Sequence, residues 1–164
     1  MKRPARWRHT LLLGVAVGVV YQVFSLYVIE PLIVQLTGRS IDLSQFAQIK
    51  GNVFVLAIFL LLVWTFAAFG EELVHRGYLM NRVAQLAGGS TRAWALSLVV
   101  VNVLFGVAHL YQGISGVAAV IAAGLVYGAL YLWSGRNLWV PIIAHGVYDT
   151  VAFLLVFWGK YPGL

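Results

Sequence analysis

The chain has 164 residues, 62% of them hydrophobic and 10% charged, with a formal net charge of +6 and a mean hydropathy of +0.89. So little polar surface cannot cover a water-soluble domain, and the composition places the chain in a lipid bilayer. The absence of cysteine excludes a disulfide framework, a thiolate zinc site and a cysteine nucleophile.

Five apolar runs approach the roughly 20 residues that a helix needs to cross the hydrocarbon: residues 10–29, 52–70, 93–110, 116–133 and 138–158. The first follows Lys2, Arg3, Arg6 and Arg8, the charge pattern of a secretory signal. Its apolar stretch is longer than the roughly 7 to 15 residues of a signal core, and no small-x-small cleavage site closes it, so it is predicted to stay as a transmembrane helix. A loop is expected from Glu30 to Gly51, and the second run then leads into Glu71-Glu72-Leu73-Val74-His75-Arg76. Gly88-Gly89-Ser90 marks the clearest turn before the third run, and Ser134-Gly135-Arg136-Asn137 separates the last two.

No run shows the sustained period-two alternation of a barrel strand. The expected fold is therefore all-α: a polytopic membrane helix bundle of about five transmembrane helices with a polar intramembrane site. A single domain over residues 1–164 is expected, with 1–51 as an N-terminal helix and loop and 52–158 as the core. Gly14 with Gly18, and Gly124 with Gly128, have the small-xxx-small spacing that lets helix backbones approach in lipid.

Trp7, Trp94, Trp133, Trp139 and Trp158 fall at or beyond the ends of the runs, where indoles favour the headgroup level, whereas Trp64 does not. The N-terminal cations, then Arg76, Arg82 and Arg92, and then Arg136 occupy alternate ends, while residues 111–115 carry none. The positive-inside rule then gives a cytoplasmic N-terminus, with Arg39 and Lys50 as the opposing pair beside Glu30 and Asp42. Cations so placed serve topology. No soluble part is left over to bind nucleic acid.

Three motifs put ionisable residues inside or against these apolar runs, where a lone charge is expensive and marks a functional site by default. In the first, residues four apart share a helix face, so Glu72 can pair with Arg76 while Glu71 aligns with His75. One carboxylate is neutralised and the other left available. The second motif is Phe105-Gly106-Val107-Ala108-His109, with Asn102 two turns earlier on the same face. The third is His145-Gly146-Val147-Tyr148-Asp149, an i, i+4 pair able to hydrogen-bond or to orient toward a shared water.

The order Glu-Glu-x-x-x-Arg, Phe-x-x-x-His and His-x-x-x-Asn/Asp, each on a hydrophobic helix, resembles the CPBP family of CAAX proteases and bacteriocin-processing enzymes, also called the Abi family. The similarity covers roughly residues 53–157 and includes the continuation Arg76-Gly77-Tyr78-Leu79. It implies an intramembrane endopeptidase of a bacterial cytoplasmic membrane acting on a membrane-associated or lipidated peptide. Relatives remove the last three residues of prenylated CAAX proteins or are linked to bacteriocin self-immunity. The site residues implied are Glu71, Glu72, Arg76, His109, His145 and Asp149. Glu71 would be general base for the attacking water, His109 would help to hold that water, and His145 with Asp149 would stabilise the oxyanion. His75 stands where the family usually has a bulky apolar or aromatic residue. Asp149 stands where the prenyl-protein proteases more often have Asn, and an Asp suits a simple oxyanion donor less well unless it acts through His145.

General-base hydrolysis needs a carboxylate shielded from bulk water and donors where negative charge develops. It requires no covalent intermediate and no metal. Glu71, His109 and His145 could instead form a His2Glu set holding zinc with one open position for water, although no short motif such as H-E-x-x-H marks one.

A helix ending near Gly70 would put Glu71 and His109 at opposite faces of the bilayer. If it runs on to about Ala87 before turning, Glu71 lies 18 residues before the turn and His109 about 19 beyond it, so both stand level at about 27 Å. One long or slightly broken helix through the Glu-Glu motif is therefore expected. His145 joins only if its helix is tilted or begins inside the membrane. Two competing classes use similar residues. A proton- or ion-coupled transporter would use a polar stripe and often an inverted repeat, which is not found here. A non-catalytic bacteriocin-immunity membrane protein would act by binding alone.

Overall fold

The computed structural model describes residues 7–162. Lys2, Arg3 and Arg6, which carry most of the expected N-terminal charge, lie outside the described residues. Five helices make up the fold: α1 Trp7–Thr37, α2 Val53–Leu86, α3 Thr91–Val107, α4 Gly113–Trp133 and α5 Trp139–Phe157. No strand occurs among the described residues. α1, α2, α5, and α4 with the turn before it are long and apolar enough to cross a membrane, whereas α3 is apolar but shorter.

One helix outruns its expected end, and a second runs on as the Glu-Glu motif required. α1 does not stop at Ile29 but continues to Thr37, so Glu30 lies within it and not in a loop. A wide π-type turn at Ser25–Ile29 precedes Pro31 and absorbs the backbone donor that proline cannot supply. Gly38, at φ 68°, then ends the helix in the left-handed conformation. α2 starts at Asn52, whose side chain accepts from the Val55 N–H. It passes Gly70 and reaches Leu86 through wide turns at Val63–Glu71 and Leu73–Leu79. The long, slightly broken helix that the Glu-Glu motif required is present. Gly88 and Gly89, both at positive φ, make the turn into α3, whose first N–H groups Ser90 caps.

Packing follows the glycines. A methyl on Gly18 would stand 2.6 Å from the Ala144 carbonyl oxygen, and one on Gly14 would stand 2.7 Å from Ile143 Cβ. α1 and α5 therefore touch backbone to backbone. They run in the same direction, with Asn137 donating to Thr10 at one end, Tyr148 beside Ser25 further along, and Tyr161 donating to Glu30 at the other. The far loops are tied together by Asp42 N–H to the Gln112 carbonyl, Ser115 to the Arg39 carbonyl, and Gly51 N–H to the Phe157 carbonyl.

Leu138 packs on Gly77, and the Trp139 ring meets Phe69, so the first turn of α5 lies level with the middle of α2, and Trp139 also meets Trp7 at the start of α1. Trp64, the one tryptophan away from a predicted end, lies against Gly146 and donates from its indole to the Thr150 hydroxyl. The bundle is apolar outside and polar within: Arg76, Glu72, Asn102 and Gln22 are among the most completely buried side chains, while Leu12, Leu61 and Phe66 face outward.

Candidate active site

At the centre of the bundle lies a buried ion pair. Arg76 and Glu72, both 0% exposed, meet at 2.9 Å across one helical turn of α2. The other guanidinium nitrogen donates to Asn102 Oδ1 on α3 at 2.7 Å and to the Gly124 carbonyl on α4 at 2.9 Å. Phe105 and Tyr127 cover the guanidinium faces at 5.0 and 5.8 Å. One side chain thus fastens three helices, and glycine at 124 is what admits it. A methyl there would stand 2.6 Å from Asn102 Oδ1 and 3.2 Å from the guanidinium.

The same Glu72 oxygen accepts from His145 Nδ1 at 3.0 Å, and His145 Nε2 faces Asp149 at 3.4 Å. His145 is therefore oriented by carboxylates on both sides and stacked flat on Tyr127 at 4.9 Å. Between Arg76 and Asp149 the charges alternate in sign when the imidazole carries both protons. Each member then faces a neighbour of opposite charge.

His109 lies where α3 ends. Its Nδ1 faces the Phe105 carbonyl at 2.9 Å, and because a carbonyl only accepts, Nδ1 carries the proton and the neutral ring presents a bare Nε2. His75 makes the same bond to the Glu71 carbonyl at 2.8 Å and packs against Phe105 at 4.5 Å. Its role is local. Among the described residues no side chain hydrogen-bonds the Glu71 carboxylate, which remains available beside its paired neighbour.

A cavity of about 350 Å³ is lined by Glu71, His109, His145 and Asp149 together with Tyr127. Four of the six residues that the sequence grouped as a site therefore meet at one space. Glu72 and Arg76 do not line it. Glu72 lies behind His145 and accepts its hydrogen bond, and Arg76 in turn pairs with Glu72. Asn102, expected on a stripe with His109, turns instead to Arg76. Tyr127 was missed, although a tyrosine between Gly124 and Gly128 in the middle of an apolar run signals a buried hydroxyl. Glu30 was missed as well, and it lies on the cavity wall farther along.

The residues do not fit a zinc centre as arranged. Among the described residues no group of three or more His, Cys, Asp or Glu side chains is placed to hold a metal ion. Both His145 nitrogens face carboxylates.

Compared with known proteins, the chain matches a family model described as Rce1-like, type II CAAX prenyl endopeptidase, over residues 53–151. That span holds all three motifs and excludes α1. No curated protein and no solved structure matches the chain.

Proposed function

Because the chain belongs to the Rce1-like family of type II CAAX prenyl endopeptidases, we propose that it hydrolyses a peptide bond within the membrane by a water that Glu71 activates. The supporting observation is the shared cavity. In a bundle whose exterior is hydrocarbon, Glu71, His109, His145 and Asp149 face one space.

The water sits between the Glu71 carboxylate, which takes its proton, and His109 Nε2, which orients it as an acceptor. Its oxygen attacks the scissile carbonyl carbon, and the negative charge developing on the carbonyl oxygen is met through space by the positive charge of the doubly protonated His145 ring, whose two N–H groups stay on Glu72 and Asp149. Asp149 holds that ring from one side and Glu72 from the other. When the carbon–nitrogen bond breaks, Glu71 returns the proton to the leaving amine. Every proton is accounted for, with no covalent enzyme intermediate. Phe59, Phe66 and Phe153 line the rest of the cavity, an apolar surface suited to a membrane-associated or lipidated peptide.

We place the N-terminus on the cytoplasmic side. The start of α1 lies at the same end as Arg136, which covers the Trp94 ring at 5.1 Å, beside Arg92. Cations gathered at one end favour that face.

The test is cleavage of a candidate membrane peptide by purified protein in lipid nanodiscs. Glu71→Gln is expected to lose at least about a thousandfold in rate with its melting temperature unchanged, because no described side chain depends on that carboxylate. A transporter or an immunity protein acting by binding predicts no cleavage by the parent chain, and activity that does not follow this substitution refutes the mechanism.

A further inference from the structure

Beyond the proteolytic wall, the cavity carries a third acid that the mechanism does not use. Glu30 enters from α1, outside the family-matched segment, and its Oε1 accepts from the Ser25 hydroxyl at 3.1 Å and from the Tyr161 hydroxyl at 2.9 Å. Ser25 spends its one proton on Glu30, so the Tyr148 hydroxyl, 3.2 Å away, donates to Ser25. The Ser25 and Tyr161 protons both point toward Oε1, and among the described residues no side chain hydrogen-bonds Oε2, which leaves this oxygen of the carboxylate for a guest.

No cation answers that charge. Among the described residues no Lys or Arg pairs with Glu30, and the ion pairs found there are those of Glu72 and Asp149. Three carboxylates, Glu30, Glu71 and Asp149, face the cavity, and no lysine or arginine lines it. His145 offsets Asp149, and Glu71 is committed to water.

Taking the chain to be the endopeptidase proposed above, we infer that Glu30 is a specificity-determining residue that receives a cationic side chain, lysine or arginine, of the substrate peptide. The surrounding aromatic wall takes the apolar residues beside it. A carboxylate held in a low-dielectric cavity attracts an ammonium or guanidinium far more strongly than in water and repels an acidic side chain. The preferred substrate is thus an apolar peptide interrupted by one cation.

The experiment uses fluorescently labelled apolar peptides that differ at one residue, Lys, norleucine or Glu, placed in turn at successive positions along the peptide. Binding to the Glu71→Gln protein in nanodiscs is measured by anisotropy, and cleavage by the parent chain in parallel. At one position Lys is expected to bind about tenfold more tightly than norleucine, the size of one charge-assisted hydrogen bond, with Glu weakest. Adding Glu30→Gln is expected to bring the Lys-to-norleucine ratio to about one, and adding Glu30→Asp to keep it. A parent that binds norleucine as well as Lys at every position overturns the inference without any variant, as does a ratio that survives Glu30→Gln. Absence of cleavage with the Lys preference intact refutes the protease reading and leaves the Glu30 site standing.

Discussion

Replacing Arg76 with methionine tests whether the polar centre holds the fold. Met fills much of the same volume between Phe105 and Tyr127 but removes three hydrogen bonds, those to Glu72, Asn102 and Gly124. What remains is a Glu72 carboxylate, 0% exposed, whose surviving partner is His145. Removing one member of a buried ion pair costs about 3 to 5 kcal/mol, chiefly because the other charge is stranded. For a chain of this size that is a fall of roughly 10 °C in melting temperature. The assay is thermal unfolding in nanodiscs, run as a double-mutant cycle with Glu72→Gln. The double variant strands no charge, so it is expected to be more stable than the Arg76→Met single variant, with a coupling of about 2 kcal/mol or more. A single-variant loss below about 1 kcal/mol, or strictly additive effects, would refute the view that this pair ties α2, α3 and α4 together.

Gly124→Val puts a branched side chain where even a methyl comes 2.6 Å from Asn102 Oδ1, and a loss of about 2 kcal/mol or more is expected in the same unfolding assay; an unchanged melting temperature would show that α4 can shift away freely. Incubation with a strong zinc chelator is expected to leave peptide hydrolysis at its original rate, and a loss that added zinc restores would overturn the metal-free mechanism.

Much of this arrangement was legible from the residues. The pairing of Glu72 with Arg76 follows from i, i+4 spacing, and the length of α2 followed once Glu71 and His109 were required to stand level. His145 comes in because the first turn of α5 packs on the middle of α2 at Gly77 and Phe69, a register that the sequence left open. What the sequence left hidden is mostly non-local. Nothing in the spacing of residues 63–79 announces two wide turns, because apolar side chains on a lipid-facing helix carry no periodic signal. Glu30 was assigned to a loop because the apolar run ends at Ile29, and the π-type turn that carries the helix past Pro31 is a backbone adjustment without a sequence mark. Asn102 points to Arg76 and not to His109 because an arginine 26 positions away in the chain offers a stronger donor.

α3 has 17 residues, about 25 Å at the rise of an α-helix, against a hydrocarbon layer of about 30 Å. Lipid tails beside it must shorten or splay to meet its ends, as they do around any span too brief for its bilayer. His109 sits at one of those ends, so a thinned leaflet there would bring headgroups and their hydration toward the cavity. On the proposed mechanism that is the route by which the second reactant arrives, and slower cleavage in thicker bilayers is the expected result.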